Sequence, residues 1–276
     1  MGIGLNLRQK IAIKRMYYRL VDRLADLSGR DRPLLPPSHL RPYVGPGDYF
    51  QIGQAARELL ISKAHLKPDS RMLDIGCGPG RIALALMDYI GSSGEYQGFD
   101  VMTESLDWAK ANITTRKPNF QFDWINVYNK FYNPRGTSAA KEYVFPREDN
   151  YYDVVFCGSL FTHMLPQDTD QYLSEISRMM KPGGYTIATF FLINDDVEQK
   201  LAIGKTDFST DHECEGARVF SEELPEYITA QYEGEVRRSL DKHGLEICND
   251  IYYGSWSGAE DSLSSQDVIV LTKPIA

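Results

Sequence analysis

The sequence predicts an α/β protein: a doubly wound, mostly parallel seven-stranded sheet with helices on both faces, a terminal antiparallel β-hairpin and an N-terminal helical arm. Three observations predict it. From residue 49 onward, short apolar strand-like blocks alternate with helix-like blocks, a pattern that implies a parallel sheet covered on both faces. Near the end, the strand-like blocks 245–253 and 266–273 follow one another without a helix between them, as an antiparallel pair can. Residues 1–45 stand apart, with nine Lys or Arg against three Asp.

Taken in order, Ile13, Tyr17, Leu20, Leu24 and Leu27 recur at helical spacing among Arg15, Arg19, Asp22, Arg23 and Asp26, which predicts an amphipathic helix with a basic face. Five prolines between residues 31 and 47 then break regular structure. Residues 52–66 read as a helix ended by Lys67-Pro68-Asp69. Strand 71–75, a glycine turn and helix 81–90 follow, then strand 95–100, helix 103–112 and strand 120–127. Strand 152–157 precedes helix 168–180, which Lys181-Pro182-Gly183-Gly184 should stop before the apolar strand 185–193. Residues 194–232 are a polar and aromatic insert, long enough to be a lid or binding element. Helix 233–242 stops at Gly244, ahead of the hairpin. The organisation expected is an arm over 1–48 and a core over 49–276, with 194–232 as a substrate cap.

The 276 residues carry 30 Lys or Arg and 38 Asp or Glu, a net charge of -8. The charge is uneven: +6 over residues 1–45 and -14 over the rest. A body this acidic is a poor match for a phosphate backbone, so nucleic acid is not an expected partner. The basic helix fits either packing on the acidic body or a weak contact with a membrane surface. No apolar run reaches the roughly 18–20 residues of a membrane span. Cys77, Cys157, Cys214 and Cys248 are too scattered for a disulfide framework or a metal site. A cytoplasmic location and no bound metal are the expectations.

The strongest local signal is Met72-Leu73-Asp74-Ile75-Gly76-Cys77-Gly78-Pro79-Gly80-Arg81. An apolar strand enters a glycine turn and leaves as a helix, so backbone amides can approach a ligand at the carboxyl edge of the sheet. Asp100 ends the next strand, where a carboxylate can accept bonds from both hydroxyls of a ribose. A dinucleotide fingerprint needs a glycine where Arg81 stands. Asp74 would also sit awkwardly beside a pyrophosphate, yet suits the positive end of a methionine moiety. The turn therefore favours S-adenosylmethionine over NAD.

At these residues the chain resembles the class I S-adenosylmethionine-dependent methyltransferases of small molecules. The resemblance is carried by LDIGCGPGR (73–81), GFD (98–100), YDVVFCGSLFTHML (152–165), KPGG (181–184) and QDVIVLTK (266–273). It implies that Gly76, Cys77 and Gly78 wrap the methionine portion, with Asp74 near its amino group. It also implies that Asp100 holds the ribose and that Val101 packs on the adenine. Asn126-Val127 stands where the family usually has an Asp facing the adenine amino group, and Gly158-Ser159 would lie near the methionine. S-adenosylhomocysteine would be the product.

Methyl transfer from a sulfonium mainly requires alignment and exclusion of water, and an aliphatic hydroxyl acceptor benefits from a base. His163, six residues after the fourth strand, is the candidate for that role. Tyr227, Tyr232 and Trp256 are the aromatic candidates for the substrate pocket. The expected reaction is methylation of a small molecule at a hydroxyl oxygen. C- or N-methylation, or a cofactor-binding regulatory module without transfer, are the alternatives.

Overall fold

The computed structural model describes residues 7–27, 34–41 and 47–275. The arm begins with α1 (Leu7–Leu27). Its residues Ile13, Met16, Tyr17 and Leu20 are 48, 69, 60 and 55% exposed, so that stretch of the apolar face is largely uncovered by the described residues. The side chains of Leu24 and Leu27 lie outside the described residues. Polar contacts hold the arm instead. Arg19 pairs with Glu104 at 3.0 Å, and His39 bridges Asp22 and Glu104 at 2.9 and 3.0 Å.

Helix α2 (Tyr49–Lys63) starts where Asp48 accepts hydrogen bonds from the amides of Phe50 and Gln51, satisfying two donors that a helix start leaves open. Then come β1 (Arg71–Ile75), α3 (Arg81–Leu86), β2 (Glu95–Asp100), α4 (Thr103–Ala109), β3 (Phe120–Trp124), β4 (Tyr152–Cys157) and α5 (Pro166–Met179). After them lie β5 (Met180–Phe190), β6 (Leu192–Ile193), α6 (Asp195–Ala202), β7 (His212–Cys214), β8 (Ala217–Val219) and β9 (Thr229–Tyr232). Helix α7 (Glu233–Lys242), β10 (Glu246–Ile247) and β11 (Asp267–Thr272) follow.

The main sheet has seven strands in the order β10-β11-β5-β4-β1-β2-β3. The strands from β5 through β3 run parallel, whereas β11 and β10 are antiparallel to their neighbours. Alternation along each strand builds two apolar layers. Leu73, Ile75, Val155, Cys157, Ile269 and Leu271 pack with α5 and α7. Met72, Val154, Phe156, Val268 and Val270 pack with α2, α3 and α4. This is the doubly wound sheet expected from the alternating blocks.

Three expectations shift in detail. Lys181 to Gly184 do not merely stop α5: Tyr152 pairs with Met180 and Val154 with Tyr185, so the four residues bulge out of a strand that starts earlier. The hairpin block 245–253 is mostly irregular; β10 covers only Glu246–Ile247, with one further bridge from Tyr252 to Val268. The insert is no bare loop. Strands β7, β8 and β9 join β6 in a second sheet, order β6-β9-β8-β7.

Asp267 couples the two sheets. It is fully buried at the start of β11 and accepts hydrogen bonds from the amides of Leu192 and Gly254 at 2.6 and 2.7 Å. The indole N–H of Trp256 donates to it at 2.8 Å. Removing the carboxylate leaves three buried donors without an acceptor. The substitution Asp267→Ala should therefore lower unfolding free energy by about 3 kcal/mol or more, measured by urea denaturation. A loss below about 1 kcal/mol would show that water replaces the carboxylate.

Candidate functional site

The carboxyl ends of β1, β2 and β4 open on a cavity of about 280 Å³, where a parallel α/β sheet presents its ligands. The glycine turn forms its floor. The amides of Gly76 and Cys77 both donate to the carbonyl of Phe99, at 2.8 and 3.0 Å. Gly78 donates to Asp100 Oδ2 at 2.7 Å, and Met102 donates to the other oxygen at 2.8 Å. Gly76 has φ of 83° and Gly80 of 82°, which side chains with a Cβ rarely adopt. A Cβ on Gly80 would also lie 2.6 Å from Ile113. The turn thus needs glycine for its shape as well as for access.

Asp74, Gly76, Cys77, Gly78, Asp100, Val101, Val127, Ser159 and His163 all line this cavity. Burial raises the Asp74 carboxyl to about 7; a hydrogen bond from the Tyr96 hydroxyl opposes that rise, and nearby Asp100 adds to it. Burial likewise raises Asp100, opposed by the amides it accepts. The Cys77 thiol is pushed well up by burial, which suits a packing residue rather than a nucleophile. Ser159 is held at φ 59°. Its amide donates to Thr189 Oγ1 at 2.7 Å, and Gln266 donates to its hydroxyl at 2.5 Å.

The residues fit S-adenosylmethionine. Tyr49 Oη and Arg81 Nε are buried without a hydrogen-bond partner among the described residues, on the side of the turn where Asp74 lies. A molecule with a carboxylate and an ammonium satisfies both donors and the Asp74 carboxylate together. Asp100 keeps spare lone pairs for a ribose, and Val101, Ile125 and Val127 supply an apolar slot for a base.

Four expected residues stay outside the cavity. Asn126 lies between Ile125 and Val127, which face it, so alternation turns the amide away. Its side chain instead bonds Thr137, through Thr137 N at 3.2 Å and Oγ1 at 2.7 Å. Tyr232 donates to Glu213 at 2.8 Å and accepts from Arg218 on the small sheet. Tyr227 packs edge-on against Phe131, centroids 5.2 Å apart. Trp256 is 1% exposed and is stacked on Phe208 at 5.2 Å. Its size and N–H are used for packing and for Asp267. Of the aromatics ahead of the core helix, Tyr43 lies outside the described residues and Phe50 is exposed.

In their place the structure brings Tyr128, Asn129, Tyr132, Lys141, Asp168, Tyr172 and Glu226 to the cavity. Most come from the segment between β3 and β4, folded by local bonds: Asn129 Oδ1 accepts the amides of Phe131 and Tyr132, an Asx turn. The sequence signal was present in Tyr128-Asn129 and Tyr132-Asn133, which are turn and aromatic residues between strands.

His163 sits on a short 3-10 turn, Phe161–His163, that the small sheet clamps. Buried Gln231 of β9 donates to the carbonyls of Phe161 and Met164 and to Thr169 Oγ1, at 3.0, 3.2 and 2.8 Å. His163 Nδ1 lies 3.0 Å from the Glu226 carbonyl oxygen. A carbonyl only accepts, so Nδ1 carries the proton and Nε2 the lone pair. Burial lowers the His163 pKa to about 4, against the raising effect of backbone bonds at Glu226 and Tyr227. The ring is therefore neutral at pH 7, and Tyr132 packs edge-on against it at 5.1 Å. Among the described residues no cluster of His, Cys, Asp and Glu is placed to hold a metal.

Residues 73–188, from β1 through most of β5, match the family described as a methyltransferase domain. A 2-phytyl-1,4-naphtoquinone methyltransferase of Trichormus variabilis is 28% identical over 138 residues, 49% of this chain and 54% of that protein. A probable methyltransferase of Aspergillus luteorubrus, ltbC, is 30% identical over 156 residues, 54% of this chain and 48% of the other. The chain thus spans about half the length of the curated relatives it matches. Among solved structures, a Pyrococcus horikoshii protein shares the fold with a TM-score of 0.56 at 18% identity, covering 84% of this chain and 93% of that one. Residues 73–188 are thus similar to a methyltransferase domain, and the residues lining the cavity beside them fit S-adenosylmethionine.

Proposed function

We propose that the protein methylates a small-molecule acceptor at a hydroxyl oxygen, with His163 as the base. The observation that carries this reading is a neutral imidazole on the cavity wall, its Nδ1 proton tied to the Glu226 carbonyl. When bound, S-adenosylmethionine would supply a methyl group on positively charged sulfur, and the acceptor oxygen would take it while the sulfur kept the electron pair of the broken bond. His163 Nε2 receives the hydroxyl proton. Asp74, Tyr49 and Arg81 hold the methionine end. Gly76, Cys77 and Gly78 wrap it, Asp100 takes the ribose, and Val101 and Val127 flank the adenine. On the acceptor side the turn ahead of β9 lines the cavity through Glu226. The relatives that act on naphthoquinones support a small-molecule acceptor. A regulatory module without transfer is disfavoured, because the insert lines the cavity through Glu226 without filling it.

Two measurements test this. Asp74, with its carboxyl near 7, is largely protonated below that pH and must lose its proton to face an ammonium. Calorimetric affinity for S-adenosylmethionine should therefore fall on acidification below pH 7, approaching about tenfold per unit. Asp74→Asn should bind more weakly and lose that dependence; an unchanged pH profile in the variant would exclude Asp74 as the contact. His163→Ala should lower kcat about a hundredfold or more with cofactor affinity unchanged. Wild-type kcat should show no histidine titration between pH 6 and 8, because the ring is already neutral. Full turnover in the variant would remove His163 as the base.

The arm supports a second, weaker interaction. Exposed Ile13, Met16, Tyr17 and Leu20 lie on one stretch of α1 beside Lys10, Lys14 and Arg19, a combination suited to an anionic lipid surface. Co-sedimentation with phosphatidylserine vesicles should be salt-sensitive and should drop in Met16→Glu/Leu20→Glu. Equal sedimentation of the variant would discard the contact. No described helix is long and apolar enough to cross a membrane.

A further inference from the structure

Glu226 is a buried carboxylate that no part of the fold requires in full. It lies on the 3-10 turn Pro225–Tyr227 ahead of β9 and is 9% exposed. Its Oε1 accepts the amide of Lys130 at 3.2 Å. Its Oε2 is buried with no hydrogen-bond partner among the described residues. The same residue lines the cavity, and its own carbonyl oxygen fixes the His163 ring. Burying half of a carboxylate unsatisfied is costly, so a donor delivered by the ligand is the physical complement of this group.

The neighbourhood narrows what that donor belongs to. Asp168 lines the cavity close enough to Glu226 for the two charges to repel. It accepts the amides of Lys141 and Leu165. Asn129 and Lys141 line the cavity beside them. A quinone offers only carbonyl oxygens, which a carboxylate repels. An apolar phenol offers a single donor, which the base at His163 would take. A ring bearing adjacent hydroxyls offers one to His163 Nε2 and the next to Glu226.

We propose that the acceptor is a hydroxyl-rich, carbohydrate-like molecule, with Glu226 Oε2 accepting a hydrogen bond from a ring hydroxyl next to the one that His163 deprotonates. This rests on the transferase reading above and names its substrate class. Glu226 is then a specificity residue of the acceptor site, and Glu226→Gln keeps the backbone carbonyl that orients His163.

The test uses the whole 276-residue chain with labelled S-adenosylmethionine. Methyl hexosides, a naphthoquinol and primary alkylamines are compared as acceptors, and cofactor binding is followed in parallel by calorimetry. Label should pass to the hexosides in preference to the others. Glu226→Gln should raise the hexoside KM about tenfold, with kcat and cofactor affinity within about twofold of wild type. Glu226→Ala should raise KM at least as far. Transfer confined to the naphthoquinol overturns the carbohydrate assignment and leaves the hydroxyl-methylation reading standing, as does an unchanged hexoside KM in both variants; transfer confined to the amines overturns both. Cofactor binding without transfer to any acceptor overturns both readings.

Discussion

One carboxylate organises the centre of this molecule. Asp100 ends β2 and returns both oxygens to the backbone, one to Gly78 and one to Met102. The first bond holds the glycine turn after β1, and the second sets the start of α4. Because β1 and β2 are hydrogen-bonded neighbours, the three segments become one rigid edge. Charge buried this deeply is tolerable only when it is shared among donors. That sharing leaves Asp100 oriented, and orientation matters more than added strength at a site that works by alignment.

Much of this edge was legible in the sequence, because it depends on local rules. A strand, glycines at positive φ, a helix, and an acid at the end of the next strand are each set by nearest neighbours. The same holds for the alternating apolar layers: Leu73 and Ile75 face one side and Met72 the other because a strand has a period of two. Gly244 after α7 and Asp48 before α2 are likewise local punctuation, although Asp48 defines a helix three residues longer at its start than the apolar pattern implied.

The acceptor side was less legible for a physical reason. Its residues meet through contacts far apart in the chain, and aromatic side chains serve packing and binding equally well. Trp256 looks like a binding residue in isolation, yet a buried carboxylate eleven residues on takes its N–H. Asn126 sits one residue from the two that face the cavity, and a single step of alternation sends it away. Conversely, Gln231 and Glu226 carry no motif. They matter because β9 pairs with β6 and brings them back over the turn that holds His163. Lys141 reaches the cavity only because the irregular segment after β3 folds back on itself.

The clamp made by Gln231 ties the small sheet to the turn that carries His163. The small sheet holds both ends of the arrangement around His163: Gln231 grips the turn on which the ring sits, and the carbonyl of Glu226 sets the ring's tautomer. A swing of that sheet away from the core would break both grips at once. The tautomer of the imidazole and the docking of the small sheet are therefore kept or lost together, so damage to the sheet far from the cavity would reach the ring without touching it.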